Sequence, residues 1–427
     1  MTGNAARGHP YFYGWNIVGV GFLAHFAGAF FLSSTLSVFL KPLTEGLGVS
    51  RGVFSLMRSG EYLILGAMSP LVGSLLDRHG GRWLMAFGAL IAGTGFLLLS
   101  QVEEFWQFLL FRWTLVIVGS GFMSHLVINV SISRWFVRKR GRAIAIANLG
   151  QGIAKVSIPL IAALLFVWLG WRATWGVFGI IMMALVIAPA IVYMRRRPED
   201  MGLTPDGSPA PGPDDSDQIR GGKTSTAQPH AFSADVLWRR TEVLHTRAFW
   251  FISILFSIAD IGITGLNLHV FAYVTDIGFT TIVAATVMSV IAFSQLGSTL
   301  IWGFISERVD VRKATMAKFL IQAAGLALAI ASIRLPFIYA GFFLYGIGLG
   351  GSQVLQEVIW ASYFGRLSLG TVRGLSLPVT LTFAAVGPPF FGFLFDATES
   401  YIFSFVLFVG ALVVSAIMAT FLRPPEK

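Results

Sequence analysis

Cysteine is absent from the 427 residues, which excludes disulfides, thiolate nucleophiles and cysteine metal sites. Charge is scarce: 12% of residues are Asp, Glu, Lys or Arg, against roughly 25% in a soluble domain. No G-x-x-x-x-G-K-[ST] nucleotide loop and no H-x-x-x-H metal pattern occurs. The expectation is therefore a protein that is not an enzyme, holds no cofactor or metal, and draws no energy from ATP. The N-terminus, MTGNAARGHP, lacks the short apolar core and small-residue cleavage site of a leader. The first apolar run, from about Trp15, is long enough to span a bilayer and stay there.

What is present is apolar: 55% of the chain is hydrophobic and the mean hydropathy is +0.73. At about 20 apolar residues per span, about twelve spans are predicted. They lie near 14–40, 52–76, 83–101, 105–133, 143–168 and 172–194, then 247–275, 280–305, 314–333, 336–363, 372–395 and 400–422. Between the sixth and seventh spans, 195–245 carries RRRPED, GSPAPGPDDSD and GGKTSTAQP, too rich in Pro, Gly, Ser and Asp to bury a core. The domains expected are thus a six-helix bundle over 1–194, a cytoplasmic linker over 195–245 and a second bundle over 246–427.

The net charge of +10 comes from short loops, not from a contiguous basic face, so it marks topology and not nucleic-acid binding. Loops on the linker side, with the two termini, hold 23 of the 31 basic residues. The opposite loops hold Lys41, Arg51, Arg172 and Arg334, while Arg58, Arg112, Lys155 and Lys318 fall within spans. That bias predicts both termini on the cytoplasmic side, in a multi-pass protein of a bacterial inner membrane.

One charged loop occurs twice. GSLLDRHGGR (Gly73, Asp77, Arg78, Gly80, Arg82) and GFISERVDVRK (Gly303, Glu307, Arg308, Arg312, Lys313) lie 230 residues apart, each just after a long apolar run. Two homologous halves with a site at their interface suit a transporter. The first copy resembles the G-x-x-x-D-R-x-G-R-R loop of the major facilitator superfamily, and the second is similar to its degenerate partner. The resemblance implies an all-α membrane fold of twelve transmembrane helices in two pseudo-symmetric six-helix bundles. Asp77 and Glu307 then face the positive N-terminal ends of the fifth and eleventh spans, as a gating latch; the alternative is a solvated turn that only enforces orientation.

A narrower resemblance lies in WFVRKRGRAIAIANLG (135–150) and SVFLKPLTEGLGVSR (37–51), which are similar to the fifth- and first-span signatures of monocarboxylate transporters, with oxalate/formate carriers as relatives. Trp135, Arg142 and Leu149 depart from the pattern. This resemblance implies a substrate role for Lys41. An Asp and an Arg that couple proton and carboxylate in the eighth span of well-studied members correspond to Gln295 and Thr299 here, neither of them charged.

An ionisable group at mid-membrane costs about 2.5–3.5 kcal/mol on insertion scales and ordinarily faces a cavity or a partner. Arg58 and Glu61, three apart, lie on one helix face, either as a fixed bridge or as a switchable pair. Lys155 has no acid near it in sequence, so a partner from another helix or an anionic ligand must compensate it. Arg112, a third of the way into the fourth span, is expected to form a bridge near the outer surface. Asp260 and Glu357 are candidate proton carriers with Glu61; for Glu357 the alternative is a bridge to a loop arginine such as Arg366. His125, Asn129, Asn267 and Gln353 add neutral polar candidates for substrate contact, while His25 and His269 can equally be packing residues. Trp360 is a candidate cavity wall.

The expected function is secondary transport of a small organic anion, a monocarboxylate, by alternating access, driven by protons or a counter-anion. The bilayer is the only other partner expected, and the chain is expected to act as a monomer. The alternatives are an exporter of a bulkier amphipathic compound, which needs a wide aromatic cavity, and a nontransporting sensor, which needs a signalling domain that the short ATFLRPPEK tail does not offer.

Overall fold

The computed structural model describes residues 11–136, 139–204, 206, 238–365 and 368–425; the side chains of Pro70, Asp77, Arg140 and Leu369 lie outside that set. Inside a bilayer each backbone N–H and C=O needs an internal partner, and a helix supplies one within the segment itself. The described chain is accordingly helical. Its first part contains α1 (Gly14–Ala27), α2 (Ser33–Leu47), α3 (Arg51–His79), α4 (Gly81–Leu99), α5 (Phe105–Phe111), α6 (Val118–Phe122), α7 (His125–Trp135) and α8 (Arg140–Tyr193). After the linker come α9 (Arg240–His245), α10 (Arg247–Asp276), α11 (Thr281–Arg308), α12 (Val311–Ala331), α13 (Leu335–Phe364), α14 (Leu369–Thr398) and α15 (Ile402–Thr420). Most of the expected linker, 207–237, falls outside the described residues.

Ten segments are long and apolar enough to cross a membrane. One of them, Arg142–Tyr193, is two crossings that meet at Gly170, whose φ of 77° breaks the helix. With α3, a 29-residue helix made less apolar by Arg58 and Glu61, the crossings among the described residues number twelve. Large apolar side chains face outward, among them Trp168 at 79% exposure and Leu300 at 71%, as a lipid-facing surface requires.

Two crossings expected as single helices are interrupted. The first changes from α1 to a 3₁₀ turn over Gly28–Phe31, then to an extended Leu32 before α2 begins. The fourth contains a π-helical stretch, Arg112–Ile117, between α5 and α6, and a second break at Met123 and Ser124 before α7. No proline lies at either break, and Pro42 comes ten residues after the first, so periodicity carried no sign of them.

The repeat in the loops extends to the helix caps. Ser50 Oγ accepts the Val53 amide at the start of α3 (3.3 Å), and Thr280 Oγ accepts the Val283 amide at the start of α11 (3.3 Å). These caps are separated by the same offset as the two charged loops. Each satisfies an amide that the first helical turn leaves open.

Small residues let helices approach within the second bundle. A side-chain carbon at Gly325 of α12 would strike the Tyr345 amide of α13 and lie 2.8 Å from the Gly341 carbonyl. Gly325→Val is expected to force α12 and α13 apart at a cost of about 1–3 kcal/mol. The check is thermal unfolding of the detergent-purified protein, with Gly297→Val, where nothing lies within 4 Å, as the control that keeps its midpoint.

Candidate functional site

The break in the first crossing supplies the local chemistry. Unwinding at Gly28–Leu32 frees carbonyls that α1 would otherwise use. Thr35 Oγ1 donates to the Ala29 carbonyl (2.7 Å). The Phe31 carbonyl accepts from Arg58 Nη1 (3.4 Å) and from Arg112 Nη2 (3.2 Å). No side chain caps the start of α2, so its first amides and the positive end of its dipole point out of the break beside Ser33 and Ser34. Half-helix ends of this kind hold anionic groups in transporters built from interrupted helices.

Arg58 is fixed from three directions. Its Nε donates to Ser33 Oγ (2.8 Å), its guanidinium lies 4.7 Å from the Tyr62 ring centre, and Nη1 pairs with Glu61. The other oxygen of Glu61 accepts Arg112 Nε. Glu61 and Arg112 are each 0% exposed and Arg58 is 5% exposed. One carboxylate thus holds two guanidiniums, a set with one net positive charge. Arg112 thus forms the expected bridge, and it is fully buried against α3.

Between the bundles lies a cavity of about 260 Å³. The first bundle contributes Ser33, Ser34, Arg58, Tyr62 and Lys155; the second contributes Asp260, Asn267, Gln295, Thr299, Ser352 and Gln353. Apolar Ile263, Met288, Ile291 and Leu349 complete the second bundle's wall. Among the described residues neither Lys155 nor Asp260 has an ion pair. The cations therefore come from one bundle and the acid from the other.

Of the positions singled out in the sequence, Arg58, Lys155, Asp260, Asn267, Gln295 and Gln353 meet at this cavity, while Glu61 stands behind Arg58. Others lie elsewhere. Glu357 is exposed and paired with Arg373 at 2.8 Å, one turn along α13 from Gln353, and does not line the cavity; Arg366 lies outside the described residues. Trp360 is buried among Phe249 and Phe364 and does not line the cavity. His125 meets Gln151 at 3.1 Å and lies against His25, with ring centres 4.3 Å apart; Asn129 is one turn further along α7. Ser33, Ser34, Tyr62 and Ser352 were not anticipated. Two serines directly after GAFFL in an apolar run were the available signal for the first pair.

Lys41 belongs to a seal at the end of the bundles opposite the linker. Asp276 at the end of α10 takes Lys41 (3.1 Å) and Arg51. Asp396 of α14 accepts the backbone amides of Arg51 (3.1 Å) and Gly52 (2.9 Å), capping α3 from the other bundle. A relay continues inward: Arg51 donates to Tyr401, Tyr401 to His269 Nδ1, and His269 Nε2 to Ser55 or the Pro388 carbonyl. His269 thus belongs to the seal and does not line the cavity. Among the described residues, side-chain hydrogen bonds joining the bundles lie at the level of the cavity or beyond it toward this end.

At the linker end the repeated loops make no such closure among the described residues. Gly80 takes φ 74° to turn the chain from α3 into α4, and Arg196 packs on it. Arg78 is exposed and Arg82 lies 5.2 Å from the Trp83 ring centre. In the second copy Glu307 and Arg308 are exposed, while Arg312 grips Asp310 and the Leu422 carbonyl. The Arg312 hydrogen bonds hold the Asp310 carboxyl below the usual carboxylate range. Gly303 faces open space, while a side-chain carbon at Gly73 would touch Leu126 at 4.0 Å. The expected latch depends on Asp77, whose side chain is outside the described set.

Two outcomes follow from this geometry. Glu61→Gln leaves two buried guanidiniums without their anion and is expected to cost about 3–5 kcal/mol of stability, read as a fall in unfolding midpoint. For the seal, a Ser37→Cys reporter at the buried α2–α10 contact is clean, because the chain has no cysteine. Adding Asp276→Asn is expected to raise its maleimide labelling several-fold; unchanged labelling means that Asp276 does not hold the seal.

Comparison with known proteins agrees with this architecture. The family model described as Major Facilitator Superfamily matches residues 21–376 and 251–427. Monocarboxylate transporter 4 of Rattus norvegicus is 23% identical over 411 residues, 95% of this chain and 81% of the relative. An oxalate:formate antiporter of Oxalobacter formigenes is 25% identical over 336 residues, 77% of this chain and 72% of the relative. Among solved structures, a bacterial homologue of the human lysosomal transporter Spinster, inward-facing and occupied, superposes with a TM-score of 0.75 at 15% identity over 97% of each chain. The nucleoside transporter NupG, as a D323A mutant, gives 0.72 at 13% identity over 96% of this chain and 99% of that one. Twelve crossings, the repeated loops and the family match together make the chain a member of the Major Facilitator Superfamily, a secondary transporter and not an enzyme.

Proposed function

We propose that the chain carries a small organic anion, a monocarboxylate, by alternating access with protons or a counter-anion as the driving partner. The observation that carries this reading is the pair of cations, Arg58 and Lys155, on one wall of an inter-bundle cavity. A carboxylate between them gains the Nη2 edge of Arg58, the Lys155 ammonium and the open amides of α2. Its body rests on Ile263, Met288 and Leu349, with Asn267, Gln295 and Gln353 as neutral contacts. The monocarboxylate and oxalate:formate carriers among the relatives support the same substrate class.

Size favours this reading over a bulky amphipathic cargo. A volume of about 260 Å³ falls below the roughly 300–1,000 Å³ of drug-sized pockets. Among the described residues, Tyr62 is the one aromatic lining the cavity.

Asp260 is the proton carrier in this reading. It is the acid that lines the cavity and it makes no ion pair among the described residues. Glu61, locked between two arginines, is reassigned to holding Arg58 in place. With the linker and termini cytoplasmic, as the basic bias suggests, the sealed end faces outward and the conformation is inward-facing. Residues 1–194 and 246–427 then rock about the cavity, with 195–245 tethering them, and the exposed Glu307 belongs to a released latch.

The test is uptake of labelled carboxylates into proteoliposomes, with and without an imposed pH gradient. Lys155→Met is expected to remove about 2–5 kcal/mol of anion binding, a rise in KM of roughly 30-fold or more, with membrane insertion intact. Normal kinetics in that variant would remove Lys155 from the site.

A further inference from the structure

Behind Asp260 the second bundle buries polar groups that the anion site leaves unused. On α12, Thr315, Lys318 and Gln322 follow at three- and four-residue spacing and share one face. All three are 0% exposed. On α10, Ser253, Ser257 and Asp260 form a similar stripe, and Tyr345 of α13 is also 0% exposed. Lys318 Nζ, both amide atoms of Gln322, Thr315 Oγ1, Ser257 Oγ and the Tyr345 hydroxyl have no hydrogen-bond partner among the described residues. The Tyr345 hydroxyl and the Gln322 amide approach each other without reaching bonding geometry. Lys318 Nζ rests 3.8 Å from the ring centre of Phe319.

The neighbouring helix is shaped to admit these side chains. A side-chain carbon at Gly351 of α13 would stand 2.9 Å from Lys318 Cγ, and one at Gly348 would stand 2.7 Å from Gln322 Cβ. An ammonium in such a place is strongly unfavourable unless an acid compensates it. α10 meets α12 at this level, where the rings of Phe256, one turn before Asp260, and of Phe319, next to Lys318, have centres 5.7 Å apart, and Asp260 is the acid whose charge reaches Lys318. The other groups facing Asp260 are Arg373 from α14, Tyr345 from α13, and Lys155 and Arg58 across the cavity. From α11 it meets neutral Gln295 and Thr299, and α15 contains no ionisable residue.

We propose that Asp260 and Lys318 form a switchable ion pair inside the second bundle, in which the ionised carboxylate turns back onto the lysine and protonation by cavity water frees it to face the cavity. The flexible four-carbon stem of the lysine lets its ammonium turn between the Phe319 ring and the carboxylate. Gln322 and Tyr345 stand where they can bond either partner as it moves. The role of the pair in transport rests on Asp260 as the proton carrier; its existence does not, and can be tested without any substrate.

The experiment is a double-mutant cycle on the full-length purified protein, read by thermal unfolding. Asp260→Asn alone strands the ammonium and is expected to lower the midpoint. Adding Lys318→Met removes the stranded charge and is expected to recover most of that loss, with the coupling disappearing at a pH low enough to protonate Asp260. Independent, additive shifts, or coupling that persists at low pH, would overturn the pair. In proteoliposomes that carry a substrate, Lys318→Met is expected to keep counterflow and flatten the pH profile of net uptake, and an unchanged profile sinks the switch. If the wild type transports no carboxylate, the anion reading fails while the unfolding cycle still decides the pair.

Discussion

Taking an ion out of water into a membrane protein is costly, and the first bundle is organised around one solution to that cost. Glu61 shares its two oxygens between Arg58 and Arg112, and both arginines also bond the carbonyl that the interrupted first crossing leaves open. The first, second and fourth crossings thereby meet at one carboxylate. Removal of any member exposes the others to an apolar interior, so the break in the first helix and the buried charges stabilise each other.

This arrangement also explains how two positive groups can stand on a cavity wall. Arg58 is half neutralised from behind, while Lys155 is supported by no acid among the described residues of its own bundle. The counter-charge sits opposite, on α10. Because of this asymmetry between the two walls, an anion in the cavity meets its cations on the first bundle's side and an acid on the other.

The sequence made the crossings legible, because runs of about 20 apolar residues bounded by charged loops have few other readings. The family resemblance was legible as well, from loops whose residue types recur at matching places. At the cavity, Arg58, Lys155 and Asp260 stood out because charge is rare in a span. Partners did not, since Glu61–Arg112 and Lys41–Asp276 join residues 51 and 235 positions apart. The 3₁₀ turn at Gly28–Phe31 and the π segment at Arg112–Ile117 were invisible for another reason: hydropathy does not change when backbone hydrogen bonding does. The Glu357 partner, Arg373, was hidden as the other partners were, since counting along a span does not show which helix end comes back to it.

The seal at the far end differs in kind from the arginine pair around Glu61. It consists of carboxylates on a lysine, an arginine and two amides at the start of a helix, all within reach of water once the bundles part. Hydration replaces each of those bonds as it breaks, so the free-energy difference between shut and open stays small at that end. The groups around Glu61 have no such substitute and stay together. Water thus acts as the lubricant of one face, and its exclusion keeps the other rigid.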